Sequence, residues 1–480
     1  MKKITTLILT ISTLVSYCQS KDRVDFSIVE ANKTSSIHID KNNNAIYSGV
    51  PWLDQNGNVV NAHGACIIKE KDVFYLFGEA HSDTSNAFGG FNCYSSKDLY
   101  NWKFESVALP VQKSGKLGPN RVGERVKVMK NPKTGEYVMY MHADTLTYKD
   151  QFVGYAVSKK IKGPYEFKGP LLFQGKPIKK WDMGTFQDDE GSGYILVHGG
   201  EIYKLNDDYK SVTEKVNENI TIGFESPTMF KKEGLYYFIG SHLTSWEKND
   251  NYYYTSNSLK GPWTSRGLIA PEGSLTWNSQ STFVLPVKGT KETAYIFMGD
   301  RWSYPKQGSS ATYVWQPLLI SETSVSIPNY QEAWKINTST GVVSKKEIEE
   351  TSIKNSDSQI EYTGNWEHTT TESKSDEKEA SFSIQFTGKQ IVLYSLTGAE
   401  NGYAKVILTD EKKHEIITMV IDMYSKNPAI TQVFRSPNLK KGNYILTVYN
   451  TGERPNWSDK RKSSYGSTGN YISVSQLRIE

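Results

Sequence analysis

Cysteine is scarce. Cys18, Cys66 and Cys93 are the only three in 480 residues, which excludes a disulfide-stapled scaffold. Cys18 stands apart near the start, so Cys66 and Cys93 either form one disulfide or remain two buried thiols. Apolar residues at helical spacing are nearly absent, which excludes helix bundles and helical solenoids. Long hydrophobic runs are missing as well: the one that stands out, Ile4–Val15, has twelve residues and is too short to cross a bilayer. Neither sign of charge dominates. A formal net charge of +4, with lysine pairs such as Lys159–Lys160 and Lys440–Lys441, reads as solvated faces and not as a nucleic-acid groove. His63 and His142 lack zinc-ligand spacing, so no metal site is read from the sequence.

Aromatic residues are plentiful, with 30 Tyr and 11 Trp. Carbohydrate-binding clefts use such rings as stacking platforms, although β proteins favour them in any case. Lys2 and Lys3 before Ile4–Val15 make residues 1–20 an export signal, with Cys18 where a lipoprotein cysteine would sit and Tyr17 where a small residue is usual. The expectation is an exported bacterial protein that is periplasmic, outer-membrane-anchored through a lipid at Cys18, or secreted.

A faint repeat organises the body. Strand-like runs open at His63 (HGACII), Glu124 (ERVKVM), Asp182 (DMGTF), Glu225 (ESPTMF) and Gln280 (QSTFVL), at intervals of 43 to 61 residues. Each is followed by a Gly-bearing turn and an aromatic strand, and GPYEFKG and GPWTSRG echo one another directly. That period fits propeller blades, whose first strands line a central channel. The sequence therefore predicts an all-β chain: a lead-in over 21–50, a five-bladed β-propeller over 51–339, a linker over 340–357 and a β-sandwich over 358–480. In the last part, Trp366, Tyr403, Tyr424 and Trp457 form either a binding platform or core. Two glutamates and an aspartate at blade openings would converge on one axial pocket, where paired carboxylates can perform acid/base work on a glycosidic bond.

Residues 60–335 resemble glycoside hydrolase family 43, and within it the exo-β-1,3-galactanase branch. The strings that carry the resemblance are NAHG (61–64), YLFGE ending at Glu79, GER around Glu124, TGEYVMYMH (134–142), WDMGTF, ESPTMF, TSW (244–246), SQST and YIFMGDRW ending at Trp302. The resemblance implies inverting exo-hydrolysis of an oligo- or polysaccharide without a redox cofactor, and leaves room for a structural calcium. It assigns Glu225 as general acid and Asp182 as the residue that tunes and orients it. Gln280, paired with Glu124, would stand on the water side, since His63 occupies the position where most of the family has an aspartate base. Glu79, His63, Thr244, Trp246, Asp300 and Trp302 are expected substrate contacts. This chain has Lys180–Trp181 where the branch more often has Arg, and ERVKV and ESPTMF where it usually reads ERPKV and REAPAMF. The sugar thus stays open among β-galactose, β-xylose and α-L-arabinofuranose, and a non-catalytic sugar-binding propeller remains the alternative.

Overall fold

The computed structural model describes residues 43–347, 351–459 and 461–480. The expected export signal, Cys18 and the first part of the expected lead-in lie outside them. The chain is all-β, built of short antiparallel ladders with a few single-turn helices. Tight turns make the hairpins: Glu233 and Gly234, both at positive φ, join Glu225–Lys232 to Leu235–Ser241, the backbone that a two-residue hairpin turn demands.

Five sheets follow in chain order. The first holds His63–Glu70, Val73–Glu79, Phe91–Ser96 and Lys103–Leu109, and the second Arg121–Lys130, Tyr137–Thr145, Phe152–Ser158 and Glu166–Pro170. The third is Met183–Gln187, Gly193–Val197, Glu201–Leu205 and Val212–Asn217, extended by Leu172–Phe173 in a parallel pairing of Phe173 with Val212 and by Lys176–Pro177. The fourth is Glu225–Lys232, Leu235–Ser241, Tyr252–Ser256 and Thr264–Leu268. The fifth has only three strands, Gln280–Lys288, Thr293–Arg301 and Thr312–Pro317.

The opening strands of successive sheets pack side by side, and that of the fifth packs back on that of the first. The apolar cores repeat this order. Val126, Val128 and Met139 of the second sheet join Cys66, Phe77 and Phe91 of the first, and so on round to the fifth, where Leu285, Ile296 and Trp315 meet Ile67, Phe74 and Leu76 of the first. Ile46–Tyr47 pairs with Ala333–Ile336, and Ser48 Oγ donates to the Trp315 carbonyl, so the two ends of this region meet beside the fifth sheet. Full burial of one such aliphatic or aromatic side chain contributes about 1.5–3 kcal/mol. Cohesion between sheets is mostly apolar, and polar contacts gather at one end of the ring.

Val343–Lys345 folds back on Ala333–Ile336, and Thr351–Lys354 pairs with Gln476–Ile479, so both ends of the expected linker are tied into sheets. From there, a five-stranded and a four-stranded sheet enclose one core containing Phe382, Leu393, Val406, Phe434, Leu446 and Leu477. Ser381–Gly388 shows the alternation that one buried face imposes. Among the described residues no helix is long and apolar enough to cross a membrane. Cys66 and Cys93 are buried free thiols, so of the two readings the disulfide is the one set aside.

Candidate active site

The register of the opening strand slips just inside its start in four of the five sheets: between His63 and Cys66, Glu124 and Lys127, Glu225 and Thr228, and Ser281 and Phe283. Such bulges re-aim side chains at the end of a ladder. Gly64, Arg125 and Ser226, each one residue past the opening side chain, have φ of +58°, +57° and +54°, and Asp182 has +41°. Outside glycine this conformation is strained. The bulged amides are held by groups of neighbouring sheets: Gly64 N donates to Asp300 Oδ2 (3.1 Å), Arg125 N to Glu79 Oε1 (2.6 Å) and Ser226 N to Asp182 Oδ2 (2.9 Å). Ser281 N donates to Asn251 Oδ1 at 2.8 Å. A side chain at 64 would not fit, since a Cβ there would overlap Glu79 Oε1.

Arg125 is the hub. Its buried guanidinium donates Nη2 to Gln280 Oε1 (2.6 Å) and Nε to Asp182 Oδ1 (3.3 Å), and lies 5.4 Å from the Trp302 ring centroid. Trp302 Nε1 donates to the same Gln280 oxygen at 2.8 Å, and Gln280 Nε2 donates to Ser241 Oγ at 2.9 Å. Arg and Trp side chains only donate, so the amide orientation of Gln280 follows from its neighbours. Its oxygen is engaged twice, and one N–H has no partner among the described residues.

Glu225 begins its strand opposite Ser241, with Phe224 buried behind it and the Trp181 side chain hydrogen-bonded to its carboxyl. Burial and the neighbouring Asp182 charge push its pKa up to about 8, against the pull of Arg125. Burial works on Asp182 as well, but the charges of Arg125 and His142 and two bonds from Ser226 outweigh it and hold this carboxyl below its ordinary range. One acid is thus kept protonated beside one kept ionised. That division is what general-acid catalysis near neutrality requires.

Glu124 faces the ring from the second sheet. Tyr148 OH donates to its Oε1 (2.7 Å), and His142 Nδ1 lies 3.1 Å from its Oε2, with His142 Nε2 3.5 Å from Asp144. Burial opposes charge on His142, yet hydrogen bonds to Asp144 and Glu124 lift its pKa to about 9, so it is a cation at neutral pH. Beneath the site, burial drives Lys127 down to about 8, and its Nζ donates to the Gly64 carbonyl at 2.8 Å.

Of the ten residues expected from the sequence, the ring brings together Glu225, Asp182, Gln280, Glu124, Glu79, His63, Asp300 and Trp302. Asp300 commits both carboxylate oxygens, to His63 and Gly64 N, whereas Glu79 accepts from Arg125 N through Oε1 and its Oε2 lies 2.8 Å from His81 Nε2 without forming a hydrogen bond. His63 is buried and stacked on Tyr313. Trp246 is half-buried against Trp302 (5.1 Å) and stacked on Tyr304 (5.8 Å), forming a wall with them. Thr244 shapes that loop, donating to the Glu247 carbonyl and accepting from Asn249. Sequence reading assigned no role to Arg125, Tyr148, Ser226 or His81, and took His142 for a structural histidine or a sugar contact and not for a metal ligand. A constant offset of one residue from each opening side chain is the signal that would have marked Arg125 and Ser226. The C-terminal aromatics form no exposed platform: Tyr403, Tyr424 and Trp457 are buried, and Trp366 packs against its own core. Among the described residues no group of three or more His, Cys, Asp or Glu side chains is arranged to hold a metal.

Comparison with known proteins matches residues 59–280 to Glycosyl hydrolases family 43. The crystal structure of an exo-β-1,3-galactanase from Phanerochaete chrysosporium with galactose is 27% identical, with a TM-score of 0.68, covering 91% of this chain and 100% of that one. A candidate exo-β-1,3-galactanase from Bifidobacterium bifidum s17 is 39% identical with a TM-score of 0.55, covering 58% of this chain and 95% of that one. An exo-β-1,3-galactanase from Clostridium thermocellum is 27% identical with a TM-score of 0.58, covering 81% and 99%. No curated protein sequence matches the chain.

Proposed function

This chain belongs to glycosyl hydrolase family 43 and is a glycosidase, and we propose that it is an exported, inverting exo-enzyme releasing terminal galactose from β-1,3-galactan. The observation that carries the mechanism is the pairing of a protonated Glu225 with an ionised Asp182 on one adjoining sheet, with Gln280 on the other adjoining sheet and Glu124 two sheets away. Glu225 gives its proton to the glycosidic oxygen as the bond to the anomeric carbon breaks. Asp182 raises its pKa, and Trp181 orients it.

Water attacks from the opposite face. The remaining N–H of Gln280 positions that water, because its oxygen is occupied by Arg125 and Trp302. Glu124 takes the proton, with one partner on each of its oxygens and a lone pair left on each. Such a pair must stand about 6.5–9.5 Å apart to admit water.

Five sheets with cores shared in a ring support a five-bladed β-propeller over 51–339, and two packed sheets support a β-sandwich over 358–480. The N-terminal signal and Cys18 support export with a lipid anchor in a bacterium. A mature N-terminus at a diacylglyceryl-modified Cys18 agrees with that anchor, and one near residue 21 refutes it.

The function is tested by incubating the purified mature protein with β-1,3-galactan, aryl β-xyloside and aryl α-arabinofuranoside, with Glu225→Gln as control. The expected product is free α-galactose, seen by NMR before mutarotation, from the wild type alone. Pentose release would move the specificity, and β-galactose would refute inversion.

A further inference from the structure

The loop 242–251, between Leu235–Ser241 and Tyr252–Ser256, carries Trp246 and buries two charged residues, Glu247 and Lys248, at 5% and 2% exposure. Buried charges in a loop are costly without partners. The two lie 3.6 Å apart as an ion pair, and further partners come from the C-terminal part. Tyr424 OH donates to Glu247 Oε2 (2.5 Å) and its ring lies 5.1 Å from Lys248 Nζ, which also donates to the Trp302 carbonyl. Trp457 Nε1 donates to Ser245 Oγ (3.2 Å), and Ser245 has a φ of +56°.

A second set of contacts meets the segment after Trp302. Tyr403 OH donates to the Ser303 and Tyr304 carbonyls, Ser303 Oγ donates to Asp422 (2.9 Å), and Trp457 packs edge-on to Tyr304. Behind Trp302 the two parts leave a cavity of about 10 Å³, room for one water. The path from the C-terminal part to the chemistry is short. Trp457 and Tyr424 hold the loop, the loop holds Trp246 against Trp302, and Trp302 donates to Gln280.

We propose that the C-terminal part is a structural member of the active site, in which Tyr424 and Trp457 are positioning residues that fix the Trp246–Trp302 wall of the sugar pocket. The pocket itself rests on the function proposed above. Kinetics are therefore measured on whichever glycoside the wild type hydrolyses, so that a wrong sugar and a wrong wall give different results.

The test is Tyr424→Phe combined with Trp457→Phe in the full chain, with Trp366→Phe, which lies in the C-terminal core, as comparison. Removing the two hydrogen bonds is expected to raise KM about tenfold while kcat stays within about threefold. Acrylamide quenching of the remaining tryptophans should rise and the melting temperature should fall because Glu247 loses a buried partner, whereas Trp366→Phe should leave KM at the wild-type value. An unchanged KM in the folded double variant overturns the proposal, as does an equal rise in KM for Trp366→Phe. If the double variant does not fold, Tyr424→Phe alone carries the test, since it removes one hydroxyl and keeps the ring.

Discussion

Replacing Asp182 by Asn should shift the alkaline limit of activity downward. The free enzyme acts only while Glu225 is protonated, so kcat/KM should hold up to the Glu225 pKa near 8 and fall tenfold per pH unit above it. The Asp182 charge opposes ionisation of Glu225. At the roughly 4–6 Å over which carboxylates perturb each other, with an effective dielectric constant near 20, a like charge is worth about 3 kcal/mol, or about two pH units. Burial, the larger cause, remains in the variant, so the limit should come to rest near pH 6 and not at the ordinary carboxylate value. Asn suits the site because it tolerates the φ of +41° better than most residues. It keeps an oxygen for Ser226 but turns an NH₂ toward Arg125 Nε, so kcat should also drop at every pH. The assay is kcat/KM against pH from 4.5 to 9 on the aryl glycoside that the wild type cleaves. An alkaline limit that stays in place, or moves upward, refutes the electrostatic pairing.

Glu225→Gln should be the more stable protein at alkaline pH. The folded state holds a proton on Glu225 that the unfolded chain releases near 4.5, so wild-type stability falls as pH rises from 4.5 to 8. The gap in unfolding free energy should widen over that window, to on the order of 4 kcal/mol at pH 8, and a constant gap would contradict it. Arg125→Lys keeps the charge but loses the fork that grips Gln280 and Asp182, so kcat/KM should fall about 100-fold, roughly 3 kcal/mol. A loss below threefold would remove Arg125 from its central place. Burial pushes the Cys66 thiol up to about 11 and Cys93 higher still. In protein lacking residues 1–20, both should resist a disulfide reagent until denaturant is added, and reductant should not alter the melting temperature.

The openings at His63, Glu124, Asp182, Glu225 and Gln280 were legible because they recur at one point of a repeat, which sends them to one place. What each side chain does there was less so. Glu79 and Asp300 read as sugar-binding carboxylates, and the bulged amides of Arg125 and Gly64 that they hold are partners that sequence does not show. Arg125 was invisible as a hub because its place depends on a left-handed φ that no residue type announces outside glycine. The short hairpin Leu172–Pro177 joins the third sheet through Phe173 and Val212, about forty residues apart, a pairing that local patterning does not encode. Tyr424 and Trp457 look like platform or core by type, and only the seam between the two parts gives them a task.

Closure of the ring has a consequence for biosynthesis. Each sheet is a run of neighbouring hairpins that can form as the chain emerges, but the core between the first and fifth sheets joins residues more than two hundred positions apart. Until Leu285, Ile296 and Trp315 have been made, Ile67, Phe74 and Leu76 lack the cover of the fifth sheet, and such a face is prone to aggregate or to engage a chaperone. The yield of soluble enzyme is then governed by how long the first sheet waits for the fifth.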